Sequence, residues 1–252
     1  MHIHLNYGGK EYHCDLSRPL DISIPVGDVR CFYAHPYIAK PYESGSYVGS
    51  VEKGSPVNFY EVNMNPHGHG THTEGLGHIT RDHESISEAL SNYHFIARLI
   101  TIPIIESPEG DHVITADDIK KAYHNPLPHA LIIRTLPNPV EKRSIDYSGT
   151  NPAYLDLSAI EHLVANGVKH LLLDLPSVDK EEDEGKLVAH RAFWNVVKDE
   201  ATLKSRKDHT ITELIYVPAY VEDGLFLLNI QTPSMKLDAV PSRPVLYKLT
   251  EK

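Results

Sequence analysis

Residues 156–179, DLSAIEHLVANGVKHLLLDLPSVD, constrain the fold of this chain more than any other stretch. Ser158 and Glu161 read as a capping box, Ile160, Leu163 and Val164 make an apolar stripe, and Gly167 stands at the C-cap. Together they predict a helix of about nine residues. Val168 to Leu173 is then an apolar run of strand length bounded by Asp174 and Pro176, a buried strand. The same order occurs just upstream, where Thr115 is placed to N-cap a short helix over Ala116–Tyr123 and HALIIRT (His129–Thr135) follows as a strand. Two consecutive helix-then-strand units point to an α/β fold with a central, partly parallel mixed β-sheet flanked by helices.

The remaining elements are weaker. Ser85–Asn92 reads as helical, and Val57–Met64, Phe95–Ile105, Glu213–Pro218, Leu225–Ile230 and Val245–Leu249 read as strands. The charged stretch Val196–Thr210 reads as a continuing helix end plus an exposed excursion. With no internal repeat and no long linker, the 252 residues are expected to form a single domain over 1–252. A formal charge of −10 without a dense Lys/Arg run argues against nucleic acid and against an anionic membrane, and leaves a small molecule as the expected partner. No run approaches the roughly 18 apolar residues of a membrane span, and the opening residues lack a signal-peptide pattern, so a cytoplasmic location is the expectation.

Chemistry concentrates in HGHGTHTEGLGH, residues 67–78. His67, His69, His72, Glu74 and His78 are all N or O donors, and with only Cys14 and Cys31 in the chain a thiolate site is not available. In an extended chain His72, Glu74 and His78 share one face. His67 and His69 both have the opposite parity to His72, so either joins that face only through a bulge or bend, at Gly68 or Gly70 for His67; His69 is the alternative ligand. The bland reading, a histidine-rich loop or core histidines bonded to carbonyls, fits four histidines and a carboxylate within twelve residues less well than metal binding does.

This segment resembles the HxGTHxDxPxH signature of the cyclase-like family of metal-dependent hydrolases, which contains bacterial kynurenine formamidase and isatin hydrolase. Gly70-Thr71-His72-Thr73-Glu74 takes the place of GTHxD, and His78 that of the final histidine. LDISIPV (20–26), LIIRT (131–135), DLPSVD (174–179), Ala189-His190-Arg191 and Ile211-Thr212-Glu213-Leu214 resemble further family segments, so the likeness spans most of the chain. The resemblance implies the swivelling β/β/α fold of that family and a paired divalent-metal site, Zn or Mn with one or two ions per chain, held by His67, His72, Glu74, His190 and Glu213. It further implies Glu74 as the bridging carboxylate, His78 as the proton-transferring residue, and a homo-oligomer, dimer or tetramer. The sequence departs from the signature at Gly68, where His67 and His69 flank the expected histidine position, at Glu74 in place of Asp, and at Leu76 in place of Pro.

The reaction implied is hydrolysis of an N-formyl or cyclic amide, with a small-molecule amide as substrate and an arylformamidase of tryptophan catabolism, acting on N-formylkynurenine, as the leading case. A metal pair supplies the nucleophile by lowering the pKa of its water from near 16 toward about 7, and His78 moves the protons. The rivals are a non-catalytic metal or small-ligand binding protein on the same scaffold, a hydrolase of another cyclic amide or lactone, and a mononuclear oxygenase or isomerase using two histidines and a carboxylate. Arg134 reads as a structural ion-pair partner more readily than as a contact for a substrate carboxylate, and Asp174, Ser177 and Asp179 read equally as strand-ending, turn-capping residues or as substrate contacts and stand outside the catalytic set. No GxSxG occurs, so a serine nucleophile has no anchor.

Overall fold

The computed structural model describes residues 1–108 and 110–252. Nine strands form the main sheet: β1 (Leu20–Asp21), β2 (His72–Glu74), β3 (His94–Pro103), β4 (Ala130–Leu136), β5 (His170–Leu173), β6 (Thr210–Glu213), β7 (Gly224–Gln231), β8 (Ala239–Pro241) and β9 (Arg243–Lys248). They lie in the order β8-β2-β6-β5-β4-β3-β7-β9-β1. The central four, β6, β5, β4 and β3, are mutually parallel, and the flanking pairings are antiparallel. Parallel neighbours need a crossover, and helices supply it. After α1 (Ile86–Ala89), α2 (Ala116–Ala122) links β3 to β4, α3 (Leu157–Ala165) links β4 to β5, and α4 (Val188–Trp194) links β5 to β6. The fold is therefore α/β with a curled, mixed sheet, as the two helix-then-strand units require.

Both faces of the central strands are buried, which is why they read as continuous apolar runs. Leu131, Ile133, Leu171 and Leu173 face one core, where Ile119, Ile160, Leu163, Phe193 and Trp194 of the helices cover them. Ala130, Ile132 and Leu172 face the other, with Ile22, Ile86, Ile215, Phe226 and Val240. Among the described residues no helix is long and apolar enough to cross a membrane.

Several expectations need correction. The helix over 157–165 has the expected nine residues, but its N-cap is Asp156, whose carboxylate accepts from the Ala159 amide at 2.8 Å. The Asp156 amide bonds to the Ile114 carbonyl, which fixes where the chain enters the helix. Ser158 instead donates to Asp156 and accepts from the Ala116 amide, tying the starts of α2 and α3 together. The expected helical extension past residue 196 is missing: α4 stops at Trp194, Asn195 adopts φ 54, and Arg206 folds back onto the Ala192 and Phe193 carbonyls. A cation on the last carbonyls replaces the next helical turn. The strand expected over 213–218 runs instead over Thr210–Glu213, because Leu214 takes a positive φ and turns the chain. The helix near 85–92 is a single turn, Ile86–Ala89, and the strand near 57–64 shortens to Tyr60–Asn63.

Candidate metal centre

The His-rich segment reaches its place through three local structures. Residues 65–70 form a tight turn, not a bulged strand, and this turn brings His67 alongside His72. Gly70 is required there, since a Cβ would meet the Pro25 and Ile24 carbonyl oxygens at 2.9 and 3.0 Å. Thr71 then acts as a pin: its hydroxyl accepts from the Ile24 amide at 2.7 Å and donates to the Leu214 carbonyl. β2 follows, paired on one side with β6 and on the other with β8, in a register that sets His72 opposite Glu213. After β2 the chain winds into a 3₁₀ turn, Leu76–Ile79, so His78 reaches the cluster from a turn and not from an extended strand as the parity argument has it.

Around Glu74 four imidazoles and a second carboxylate, Glu213, converge. His190 Nε2 lies 3.0 Å from Glu74 Oε1, His67 Nδ1 lies 3.1 Å from Oε2, and His78 Nε2 lies 3.9 Å from Oε2. His72 Nε2 is 3.4 Å from Glu213 Oε2, and His190 Nε2 is 4.0 Å from Glu213 Oε1. His72, Glu74, His190 and Glu213 are at most 3% exposed, while His67 and His78 stand at the open side. Two sets of donor atoms come close enough to share an ion each, His67–Glu74–His78 and His72–Glu74–Glu213, with Glu74 common to both.

Two atoms make the case for a cation. His72 Nδ1 lies 3.0 Å from the Gly70 carbonyl, to which only a protonated nitrogen can donate, so Nε2 is left as a bare lone pair. That Nε2 is buried without a hydrogen-bond partner. Glu74 Oε2 is likewise buried and unsatisfied, because His67 Nδ1, though near, lacks hydrogen-bond alignment. A buried acceptor left unpaired costs about 1–3 kcal/mol, more when charged, and one such atom in each of the two donor sets suits a divalent ion there.

The electrostatics agree. Burial works against charge on Glu74, yet the neighbouring His78 and His190 hold its carboxyl well below the usual range. Burial also opposes protonation of His190, but Glu74 and Asp179 outweigh it and raise its pKa well above the ordinary value. His67, despite burial, is pushed up to about 10 by Asp238 and Glu74. Protons thus occupy the positions a cation would take.

All six sequence-expected residues, His67, His72, Glu74, His78, His190 and Glu213, meet in one place. His69 does not join them: its Nδ1 accepts from the Asn65 amide and its Nε2 lies 2.7 Å from the His35 carbonyl. Arg134 spends its donors on Thr101, Asp223 and the Pro218 and Val221 carbonyls, and Asp174 is buried against Lys142 and Thr135. Sequence reasoning understated Asp179, which accepts from His190 Nδ1 at 2.6 Å and from the Ala189 and His190 amides, and so both starts α4 and aims His190. It missed Asp238 altogether. Asp238 Oδ2 lies 3.0 Å from His67 Nε2 and 3.3 Å from His78 Nδ1, and nothing in the plain run KLDAV (236–240) announces it.

Comparison with known proteins gives a consistent outcome. Residues 14–180 match the model of the family described as Cyclase. Among solved structures, an isatin hydrolase bound to the product analogue thioisatinate superposes with a TM-score of 0.62 at 14% identity, covering 93% of this chain and 92% of that one. Isatin hydrolase A from Labrenzia aggregata gives 0.62 at 13% identity, with 91% and 93% covered. A predicted metal-dependent hydrolase from Bacillus stearothermophilus gives 0.61 at 14% identity, with 91% and 98% covered.

Proposed function

Because the chain belongs to the Cyclase family, we propose that it is a metal-dependent hydrolase of a small amide, opening an N-formyl or cyclic C–N bond. The observation that carries this reading is the pair of unsatisfied buried atoms, His72 Nε2 and Glu74 Oε2, in a cluster whose two donor sets share Glu74. His67, His72, Glu74, His190 and Glu213 would hold one or two divalent ions, with zinc and manganese the best matches to a nitrogen-and-carboxylate donor set. When bound, the metal acidifies water to near-neutral pKa and polarises the scissile carbonyl.

The chain's own residues do the rest. Asp179 fixes His190 through its Nδ1, and the Val178 amide holds Glu213 Oε1 at 2.9 Å, so these donors do not swing on binding. His78, partly exposed with Nε2 toward Glu74, is placed to take a proton from the attacking water and return it to the departing nitrogen. A cavity of about 570 Å³ lies beside this open side, its wall formed by Ile38, Val62, Pro66 and Leu237, the last two adjoining His67 and Asp238 in sequence. Its size and mixed lining, in which Lys40, Glu61 and Asn63 accompany the apolar residues, suit a polar aromatic amide, N-formylkynurenine first among candidates and isatin-type lactams next.

Turnover of N-formylkynurenine and of isatin by purified protein, with and without exhaustive chelation, tests the reading. Activity on one of them that vanishes with the metal and returns on adding zinc or manganese is expected; undiminished turnover after metal removal overturns the mechanism.

We also infer a homo-oligomer. The ribbon formed by Ile38–Pro41 and Tyr60–Asn63 is exposed on both faces, and Ile38, Phe59, Tyr60 and Val62 leave apolar side chains exposed there. A two-stranded ribbon with so much exposed apolar area is marginal by itself and is better accounted for when a second copy covers it.

A further inference from the structure

Asp238 connects two side chains to which the proposed chemistry gives different tasks. Its residue immediately precedes β8, and the backbone is held on both sides: the Asp238 carbonyl accepts from the Gly75 amide at 3.0 Å, and the Leu237 carbonyl from the Ile86 amide at 2.9 Å. One carboxylate oxygen, Oδ2, therefore stands at a fixed point above the cluster. Two ring nitrogens approach it, His67 Nε2 at 3.0 Å and His78 Nδ1 at 3.3 Å, and the two rings stack with centroids 4.1 Å apart.

An ionised carboxylate only accepts, so each nitrogen facing Oδ2 must carry a proton. In a neutral ring the other nitrogen must then be bare. For His67 that bare atom is Nδ1, 3.1 Å from Glu74 Oε2, and for His78 it is Nε2, on the side of the same oxygen. We propose that Asp238 is a positioning residue that sets both tautomers at once: it makes His67 a ligand through Nδ1 and leaves His78 Nε2 free to accept a proton. His67 and His78 use different nitrogens for their tasks because they meet the same carboxylate oxygen from opposite ring positions. The opposite tautomers would disarm both, placing a proton where the metal belongs and another where the base must act.

The assignment of tasks rests on the proposed hydrolase reading; the assignment of tautomers does not. The test therefore has two arms that need no turnover. Nitrogen-15 NMR of the histidine rings in metal-free protein is expected to show a proton on His78 Nδ1, and in zinc-loaded protein a metal-bound Nδ1 and a protonated Nε2 on His67. Asp238→Ala should release His78 toward the solvent mixture of tautomers and weaken zinc binding by about 10- to 100-fold. Asp238→Asn keeps the shape and must present either its oxygen or its amide nitrogen at the one point both rings meet, so the two tautomers should be kept or lost together; Asp238→Glu should restore both in part. In turnover assays Asp238→Ala should lower kcat more than it raises KM. A His78 ring protonated on Nε2 in the wild type, or unchanged tautomers and zinc affinity in folded Asp238→Ala protein, overturns the proposal. Loss of turnover on every substrate with tautomers as assigned would instead overturn the hydrolase reading and leave this one standing.

Discussion

At the scale of single residues, the proposed function divides the cluster into atoms that hold a metal and atoms that act. His72→Ala or Glu74→Ala removes an atom with no other partner, so metal content measured by mass spectrometry and turnover should both collapse. His78→Ala should retain most of the metal and lose about 10²- to 10⁴-fold in rate, the usual contribution of a positioned general base. The metal-free protein should also show a characteristic pH dependence. His67 has an ordinary value near 6.5 when unfolded and is pushed up to about 10 when folded, so its stabilising contribution is complete below about 6.5 and is lost as pH rises through 10. Thermal midpoints in chelator should therefore fall across that window, whereas metal-loaded protein, whose ligands are already deprotonated, should not follow. Most of this residue set was legible because ligand types crowd into twelve positions and family likeness carries His190 and Glu213. Asp238 and the role of Asp179 were not, because a carboxylate that aims a histidine leaves no spacing pattern: its position is set by where strands meet in space.

Among elements, β2 is the smallest that matters most. Three residues long, it is a poor strand by its own propensity and exists because β6 and β8 bond to it on both sides and Thr71 pins its start. Thr71→Val keeps the shape and removes the hydroxyl, leaving the Leu214 carbonyl and the Ile24 amide without that partner. A loss of about 1–3 kcal/mol in urea unfolding is expected, with weaker metal binding because His72 is the next residue. The same contrast explains what the sequence reveals. β4 and β5 are buried on both faces and announce themselves as apolar runs, and the nine-residue length of α3 follows from its stripe and Gly167. The entry to α3 and the end of α4 depend on distant partners, Ile114 and Arg206, and the turn at Leu214 on a positive φ that a leucine does not announce.

For the whole molecule, the inferred homo-oligomer makes its own prediction: light scattering should give a mass at least twice that of the chain, and paired Phe59→Glu and Val62→Lys substitutions should shift it to monomer without unfolding the sheet. The long-range wiring of the main sheet has another consequence. The strand bearing His72 and Glu74 lies between residues 210–213 and 239–241, with Asp238 at the edge of the latter. A ribosome delivers the first ligands early and the strands that hold them apart from water late. While the polypeptide is being made, then, its histidine-rich stretch is open, and only the residues around 240 complete the proposed metal site. On the proposed reading, a chain stalled before those residues should hold zinc far more weakly than one that contains them.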